Sequence, residues 1–441
     1  MRGMLLFPFW VMAVAALVLF GLVRLTQDRT TLSVVSFCFL ASAGAVLLVF
    51  AAYTEPVRYY VLGAFPVFEL NPLSVIAGLL LVATSAVFVS RYGSGGTAPR
   101  GLVAQFMVLF GAMGAVGAED VVSLAVLLEI AYVSAFFLVG AASTSSPGWG
   151  WGYARSLSFF PSVLMLLFAG VASVTTPDIT MLSLGFWPSL LLAVALAPRL
   201  WLLPSAAAPV RALGRARQAF PFLAVVMSTA TLITLLKFLD AGPAPAGIVA
   251  ILSGVATIWS VVTAYRAKEL WTFAVRVYCG EMAALVLLVV LGLQTGLLTE
   301  ADCLLLVAGQ AFLGLGVLTC AGADKAEQSR FVGLSLGLLA ALLCGIPAAL
   351  ALVRYTGSVL EGGKGGWATA VVLYPELVNV LLLSCLWLRL PAILRESAGK
   401  ATPGYIKAPL LVIYGYVAIF AVTLPWLYCF FQRAGVYLNV P

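Results

Sequence analysis

Recurrent long apolar runs leave this chain few folds to adopt. Stretches at about 4–23, 31–53, 70–90, 101–118, 121–141, 156–174, 180–197, 219–239, 245–265, 272–296, 302–322, 331–353, 367–388 and 408–431 each approach or exceed the length a helix needs to cross roughly 30 Å of hydrocarbon. They predict an all-α polytopic membrane protein with about fourteen transmembrane helices. A transmembrane barrel does not fit, because its strands are segments of about ten residues with alternating polarity. Composition agrees: 63% of the 441 residues are hydrophobic and 9% are charged, too few charges to cover a soluble core. Two runs carry internal interruptions. The seventh holds Pro188 and ends at Pro198, and the twelfth holds Gly345 and Pro347, so helices 7 and 12 are predicted to be broken.

Loop charge tests this count. Numbered from the N-terminus, the odd connections carry Arg24 and Arg29; Arg91 and Arg100; Arg155; Arg199, Arg211, Arg215 and Arg217; Arg266 and Lys268; Lys325 and Arg330; Arg389, Arg395, Lys400 and Lys407. The even ones carry Arg58, Arg354 and Lys364, while Glu55, Glu119, Asp120, Asp178, Asp240, Glu300, Asp302 and Glu361 gather there. A miscount by one span would scramble this alternation. By the positive-inside rule the odd loops face the cytoplasm or matrix, and both termini lie on the intermembrane-space or periplasmic side.

Several functions are excluded at this level. Histidine is absent, which removes the usual ligand for zinc, haem iron and copper and the usual neutral-pH acid or base. Seven scattered cysteines form no C-x-x-C pair, so no metal, redox cofactor or disulfide framework is expected. The net charge of +7 sits in short loops between spans and is explained by topology, without a nucleic-acid partner. The largest loops, at about 142–155, 198–218 and 389–407, are too small to fold as catalytic domains, and no soluble substrate is expected. The run from Met1 to Val23 reads as a first span and not as a cleavable presequence, since it lacks an Ala-x-Ala site. That fits synthesis within a mitochondrion or a bacterium.

Function must then lie in charges within the spans. Glu129 stands about two turns inside the fifth, where an ionised side chain costs roughly 2.5–3.5 kcal/mol and usually has a task. Packing by hydrogen bonding to a neighbouring helix is the plain alternative to a titratable site on an ion path. Arg276 and Glu281 lie in the tenth span, Lys237 near the outer end of the eighth, and Glu376 midway along the thirteenth after Pro375. The proline frees a carbonyl one turn earlier, which makes a hydrated pocket plausible beside Glu376. The breaks occupy corresponding places in two halves, suggesting inverted five-helix repeats at helices 4–8 and 9–13. The chain divides accordingly into helices 1–3 (1–100), a first repeat (101–240), a second repeat (241–390), and a basic loop with helix 14 (391–441).

At this point the chain resembles the antiporter-like membrane subunits of respiratory complex I (subunits 2, 4 and 5 of NADH:ubiquinone oxidoreductase), relatives of Mrp-type cation/proton antiporters. Glu119 and Asp120 followed by Glu129 resemble the family's short polar turn and fifth-helix glutamate. The segment Trp201, Leu202, Leu203, Pro204, Ser205, Ala206, then Ala208, Pro209, Val210, resembles W-L-P-D-A…A-P-[TP]-P-V with one extra residue. Lys268 and Gly280 keep the spacing of the family's D-[LI]-K…G segment, Gly345, Ile346, Pro347 resembles the G-[LI]-P before its helix-12 break, and Phe68 to Ser74 sits at the start of helix three. There are departures. The seventh-helix lysine position falls on Ala193 with Arg199 as the nearest cation, the eighth-helix one falls near Arg217, and the twelfth-helix one falls on Tyr355 beside Arg354. Length and charge together resemble subunit 2 most.

The resemblance implies a proton-translocating module with no redox chemistry of its own, working among other membrane subunits of complex I, with lipid such as cardiolipin at the basic inner loops. The proton path it implies uses Glu129 paired with a cation from the 199–217 segment (Arg199 or Arg217), Lys237, Lys268 and Glu281, and ends at Arg354 or Glu376. A stand-alone secondary transporter fits composition and topology equally well. A degenerate subunit that only braces the assembly is the third alternative, because arginine scarcely deprotonates.

Overall fold

The computed structural model describes residues 8–51, 57–61, 65–92, 98–142, 160–175, 186–200, 202, 219–238, 243–322, 330–360 and scattered positions between 374 and 390. Twelve helices stand among them: α1 (Pro8–Leu25), α2 (Arg29–Ala51), α3 (Pro72–Tyr92), α4 (Arg100–Gly117), α5 (Val121–Ala142), α6 (Phe160–Thr175), α7 (Phe186–Leu196), α8 (Phe220–Phe238), α9 (Pro243–Tyr265), α10 (Leu270–Gln294), α11 (Glu300–Ala321) and α12 (Arg330–Leu360). They follow the first twelve predicted spans one for one. Ten are long and apolar enough to cross a membrane, and α6 and α7 are shorter. This is an all-α multi-pass membrane protein. The described positions of the thirteenth span are helical, and the fourteenth span, 408–431, lies outside the described residues.

Burial separates core from shell. In α8 and α10, 94% of the spanning window is buried, and in α11 89%, against 22% for α2 and 33% for α1 and α9. The shell helices present Leu17, Val34, Leu48, Ile251 and Ile258 outward, a surface that suits lipid and that water would not tolerate in such extent. Helices α4 and α5 form one tight pair, and α9 and α10 another. The first is set by Gly111 on α4: a Cβ there would lie 2.6 Å from both the Ala131 nitrogen and the Leu127 oxygen of α5. Small residues at such crossings let helix backbones approach directly, and this contact fixes the part of α5 that carries Glu129.

Two features depart from the sequence reading. Between α2 and α3 the chain forms an antiparallel hairpin, β1 (Val57–Val61) and β2 (Phe65–Leu70), paired from Val57↔Leu70 with an irregularity between Tyr59 and Tyr60. Valine and tyrosine favour strands, and the segment is too short to span the bilayer. Helix α3 then begins at Pro72, with the Ser74 amide donating to Asn71 Oδ1 at 2.9 Å and the Asn71 amide donating to Ser74 Oγ at 2.9 Å. The second departure is a correction: α12 is not broken at Gly345–Pro347 but runs on from Arg330 to Leu360 with Pro347 inside it. Proline removes one backbone donor, whereas a true break in hydrocarbon would strand several. The seventh helix does end early. After Leu196 a turn forms, closed by Leu202 N donating to Ala197 O at 2.9 Å, and Pro198 within it offers no donor.

Candidate functional site

That turn carries Arg199 into the protein interior, where its side chain is fully buried. A bare guanidinium there would be prohibitive, so its partners define the site. Arg199 Nη2 donates to Glu129 Oε1, and the Ser162 hydroxyl of α6 donates to Glu129 Oε2. Arg199 Nη2 also lies 3.4 Å from Ser162 Oγ, and the guanidinium carbon stands 4.0 Å above the ring of Tyr132. Glu129 and Tyr132 are one turn apart on α5, so the same face supplies the anion and the aromatic platform. Two helices and one turn thus converge on a single ion pair. Its two sides differ: the Arg199 side chain has no exposure, while Glu129 keeps 18%.

The exposed edge of Glu129 looks into a cavity of about 1240 Å³ between α1, α4, α5 and α6. Val103, Met107, Val126 and Leu166 give it apolar walls, and Arg24, Gln27 and Arg100 add polar groups from the α1 and α4 ends. The arrangement offers a carboxylate reachable from the cavity, held against a cation that keeps its charge at any attainable pH.

The other residues read from the sequence lie elsewhere. Lys237, in the last turn of α8, donates to Val116 O and lies 3.4 Å from Ala118 O, at the C-terminal end of α4, with Glu119 at 3.8 Å. It caps carbonyls that α4 leaves unpaired, so its visible work is to latch α8 to the α4–α5 turn. Arg354, near the end of α12, donates to Asp302 Oδ1 at 2.8 Å. Asp302 is already the N3 residue of a capping box with Thr299 at the start of α11. Lys268 is an exposed residue of the α9–α10 connection and does not join the buried cluster. Arg217 and Glu376 lie outside the described residues. Glu281 is buried in α10 at 1% exposure, with the Cys344 thiol of α12 hydrogen-bonded to it and Oε1 without a hydrogen-bond partner among the described residues.

Sequence reasoning missed the hydroxyl groups around these charges. Tyr132 Oη and Thr231 Oγ1 of α8 are 3.1 Å apart, and Ser228 Oγ of α8 and Tyr278 Oη of α10 are 2.7 Å apart. The available signal was spacing: Glu129 and Tyr132, Ser228 and Thr231, and Tyr278 and Glu281 are each three residues apart, hence on one helix face.

No family model matches the sequence, and no curated protein does. Solved structures share the fold over almost the entire chain. A chain of the membrane-bound sulfane sulfur reductase, an archaeal respiratory membrane complex, superposes with a TM-score of 0.76 at 16% identity, covering 98% of this chain and 96% of the other. A chain of the Mrp complex from Dietzia sp. DQ12-45-1b gives 0.76 at 13% identity over 98% and 97%. One from respiratory complex I of Thermus thermophilus gives 0.70 at 16% identity over 99% and 100%. This full-length agreement gives the chain the fold shared by these chains of the membrane-bound sulfane sulfur reductase, the Mrp complex and respiratory complex I.

Proposed function

We propose that this chain is a proton-translocating membrane subunit of a respiratory complex, most like subunit 2 of NADH:ubiquinone oxidoreductase, coupling its partners' quinone reduction to proton movement. The observation that carries this reading is the buried Glu129–Arg199 pair at the edge of a cavity, on the helix and at the break where the resemblance places the family's charged pair. Paired opposite charges at about 4 Å and an effective dielectric near 20 interact by about 4 kcal/mol. Protonating Glu129 removes that attraction and leaves Arg199 buried beside a neutral acid. The guanidinium must then gain water or another anion, which couples proton binding to the position of the 197–202 turn. In this reading Glu129 is the carrier and Arg199 the fixed counter-charge. The two inverted repeats, for which the tight α4–α5 and α9–α10 pairs at corresponding places speak, would hold one such path each.

Partners are the other membrane subunits, with anionic lipid such as cardiolipin at the basic inner loops, in a mitochondrial inner or bacterial plasma membrane. The test uses the chain with its native partners in sealed vesicles. Glu129→Gln should abolish proton output while electron transfer continues, and undiminished output would overturn the assignment. A second reading, cation/proton exchange in an Mrp-type assembly, draws support from the likeness to the Mrp complex, with a TM-score of 0.76 against 0.70 for the complex I chain. Sodium-driven proton movement in vesicles lacking any electron donor would select it.

A further inference from the structure

Between the ion pair on α5 and the buried acid on α10, four neutral hydroxyls are arranged in order among the described residues. On α5, Glu129 is followed one turn later by Tyr132; on α8, Ser228 by Thr231; on α10, Tyr278 by Glu281. The contacts between helices are direct: Tyr132 to Thr231 at 3.1 Å and Ser228 to Tyr278 at 2.7 Å. All four hydroxyl residues are at most 3% exposed: Tyr132 2%, with Tyr278, Ser228 and Thr231 at 0%. The steps within a helix are of the i, i+3 kind, which keeps both residues on one helix face, and water is the link the proposal requires between their oxygens.

These hydroxyls also have freedom to reorder. Ser228 donates to Ala224 O, yet Tyr278 reaches the same carbonyl at 3.2 Å. The pair therefore has two arrangements: Tyr278 donates to Ser228 while Ser228 donates to the carbonyl, or Ser228 donates to Tyr278 while Tyr278 donates to the carbonyl. Thr231 likewise donates to Met227 O at 2.6 Å and can turn from it toward Tyr132. A hydroxyl gives one proton and accepts others, which is what a relay member needs. The α10 end is ready to receive: Glu281 holds a thiol on one side and leaves Oε1 unpartnered among the described residues. On α11 the amide of Gln310 is buried too, and neither of its ends has a partner among the described residues.

We propose that Tyr132, Thr231, Ser228 and Tyr278 form a hydroxyl ladder that conducts protons across α8 between Glu129 and Glu281. This rests on the translocation reading above and supplies the link that the family's implied lysines would otherwise make. A proton leaves the Glu129 carboxyl through one water for Tyr132 as the phenol passes its own to Thr231. Thr231 passes its proton through a second water to Ser228, Ser228 to Tyr278, and Tyr278 through a third water to the Glu281 carboxylate. Every oxygen on the ladder gains one proton and loses one, so no charge rests there; Glu129 ends ionised and Glu281 protonated. Rotation of the hydroxyls about their C–O bonds resets the order.

The experiment uses the intact complex in vesicles, with an entrapped pH dye and infrared detection of the Glu281 carboxyl after a pH jump. Tyr132→Phe and Tyr278→Phe remove one oxygen each and leave Thr231 and Ser228 bonded to their own carbonyls, so the fold keeps its satisfied groups. Each should slow translocation and Glu281 protonation by about 10²-fold, the usual loss for one proton-transfer group. Thr231→Val should do the same, while Thr231→Ser, which keeps the hydroxyl, should retain the parent rate. Parent-like rates in Tyr278→Phe and Thr231→Val, with Glu129→Gln inactive, would overturn the ladder and leave translocation standing. Equal loss in Thr231→Ser and Thr231→Val would also overturn it, since packing would then explain both. An active Glu129→Gln complex would overturn the translocation reading and the ladder with it.

Discussion

The asymmetry of the ion pair can be tested by energy alone. Glu129→Gln leaves a guanidinium with no solvent exposure and no anion, and removing one partner of a fully buried pair costs about 3–5 kcal/mol. Arg199→Met is different. Its carboxylate partner keeps the Ser162 hydroxyl and the 18% of its side chain that is exposed, and methionine still covers Tyr132. That substitution should cost about 1–3 kcal/mol, the range for a partly solvated polar group losing one bond. With both changes the buried cation is gone too, so the double variant should be more stable than the sum of the two losses predicts, by more than the ~0.5 kcal/mol expected of independent sites. Reversible unfolding of the purified chain in mixed detergent micelles, followed by tryptophan fluorescence, measures all four corners of the cycle. An Arg199→Met loss equal to or above that of Glu129→Gln, or simple additivity, would refute the claim that the cation is the more deeply committed member. Arg199→Lys adds a control, because it keeps the charge while losing the fork that reaches Glu129 and Ser162 together.

Three further outcomes follow from the same packing. Lys237→Met should loosen the α8–α4 latch by about 1.5–3 kcal/mol, the value of hydrogen bonds from a charged donor, and faster amide exchange from Val116 to Val121 would register it. Gly111→Val should cost about 3 kcal/mol or more by forcing α4 off α5, seen as lost accumulation of folded protein, while Gly140→Ala on α5, whose added Cβ would meet no atom of the described residues within 4 Å, should be neutral. Asp302→Ala should destabilise more than Arg354→Gln, by about 1 kcal/mol, because it removes the N3 half of the α11 capping box whereas Arg354 is 35% exposed in its pair; calorimetry of the two variants ranks them.

The spans were legible because hydrocarbon leaves backbone no alternative to a helix, so apolar length alone places α1 to α12. The same constraint explains the misreading of Pro347. A proline that would end a helix in water costs one bond here, and ending the helix would cost more. The hairpin at Val57–Leu70 was hidden because a short polar-flanked connection carries no periodicity long enough to read. A cation from the 199–217 segment, Arg199 or Arg217, was legible as the counter-charge of Glu129, since an intramembrane carboxylate calls for one, and the structure pairs Arg199 with it. The hydroxyls were not. Serine and threonine in membrane helices ordinarily bond to their own backbone, as Ser36, Thr84, Ser85 and Ser253 do here. Only the crossing of α5, α8 and α10 separates Ser228 and Thr231 from those.

An arginine at the pair has a consequence for how charge moves. A lysine relay shifts protons by letting neighbouring ammonium groups lose and regain them, because a lysine's pKa falls readily on burial. Arg199 cannot do so, and its side chain is shut away from solvent. In the translocation proposed above, whatever enters from the cavity is carried by Glu129, and each proton it accepts raises the cost of the fixed cation beside it. That cost is relieved when the proton moves on and the carboxylate is restored. A fixed cation thus favours short residence of the proton at Glu129, and it makes a neutral, non-storing connection such as the α8 hydroxyls the suitable neighbour. A second titrating cation placed between Tyr132 and Tyr278 would repel Arg199 and hold charge midway. On this argument Thr231→Lys should slow translocation through the chain, although it brings the sequence closer to the lysine-rich pattern it resembles; faster output would show that Arg199 does not govern the path.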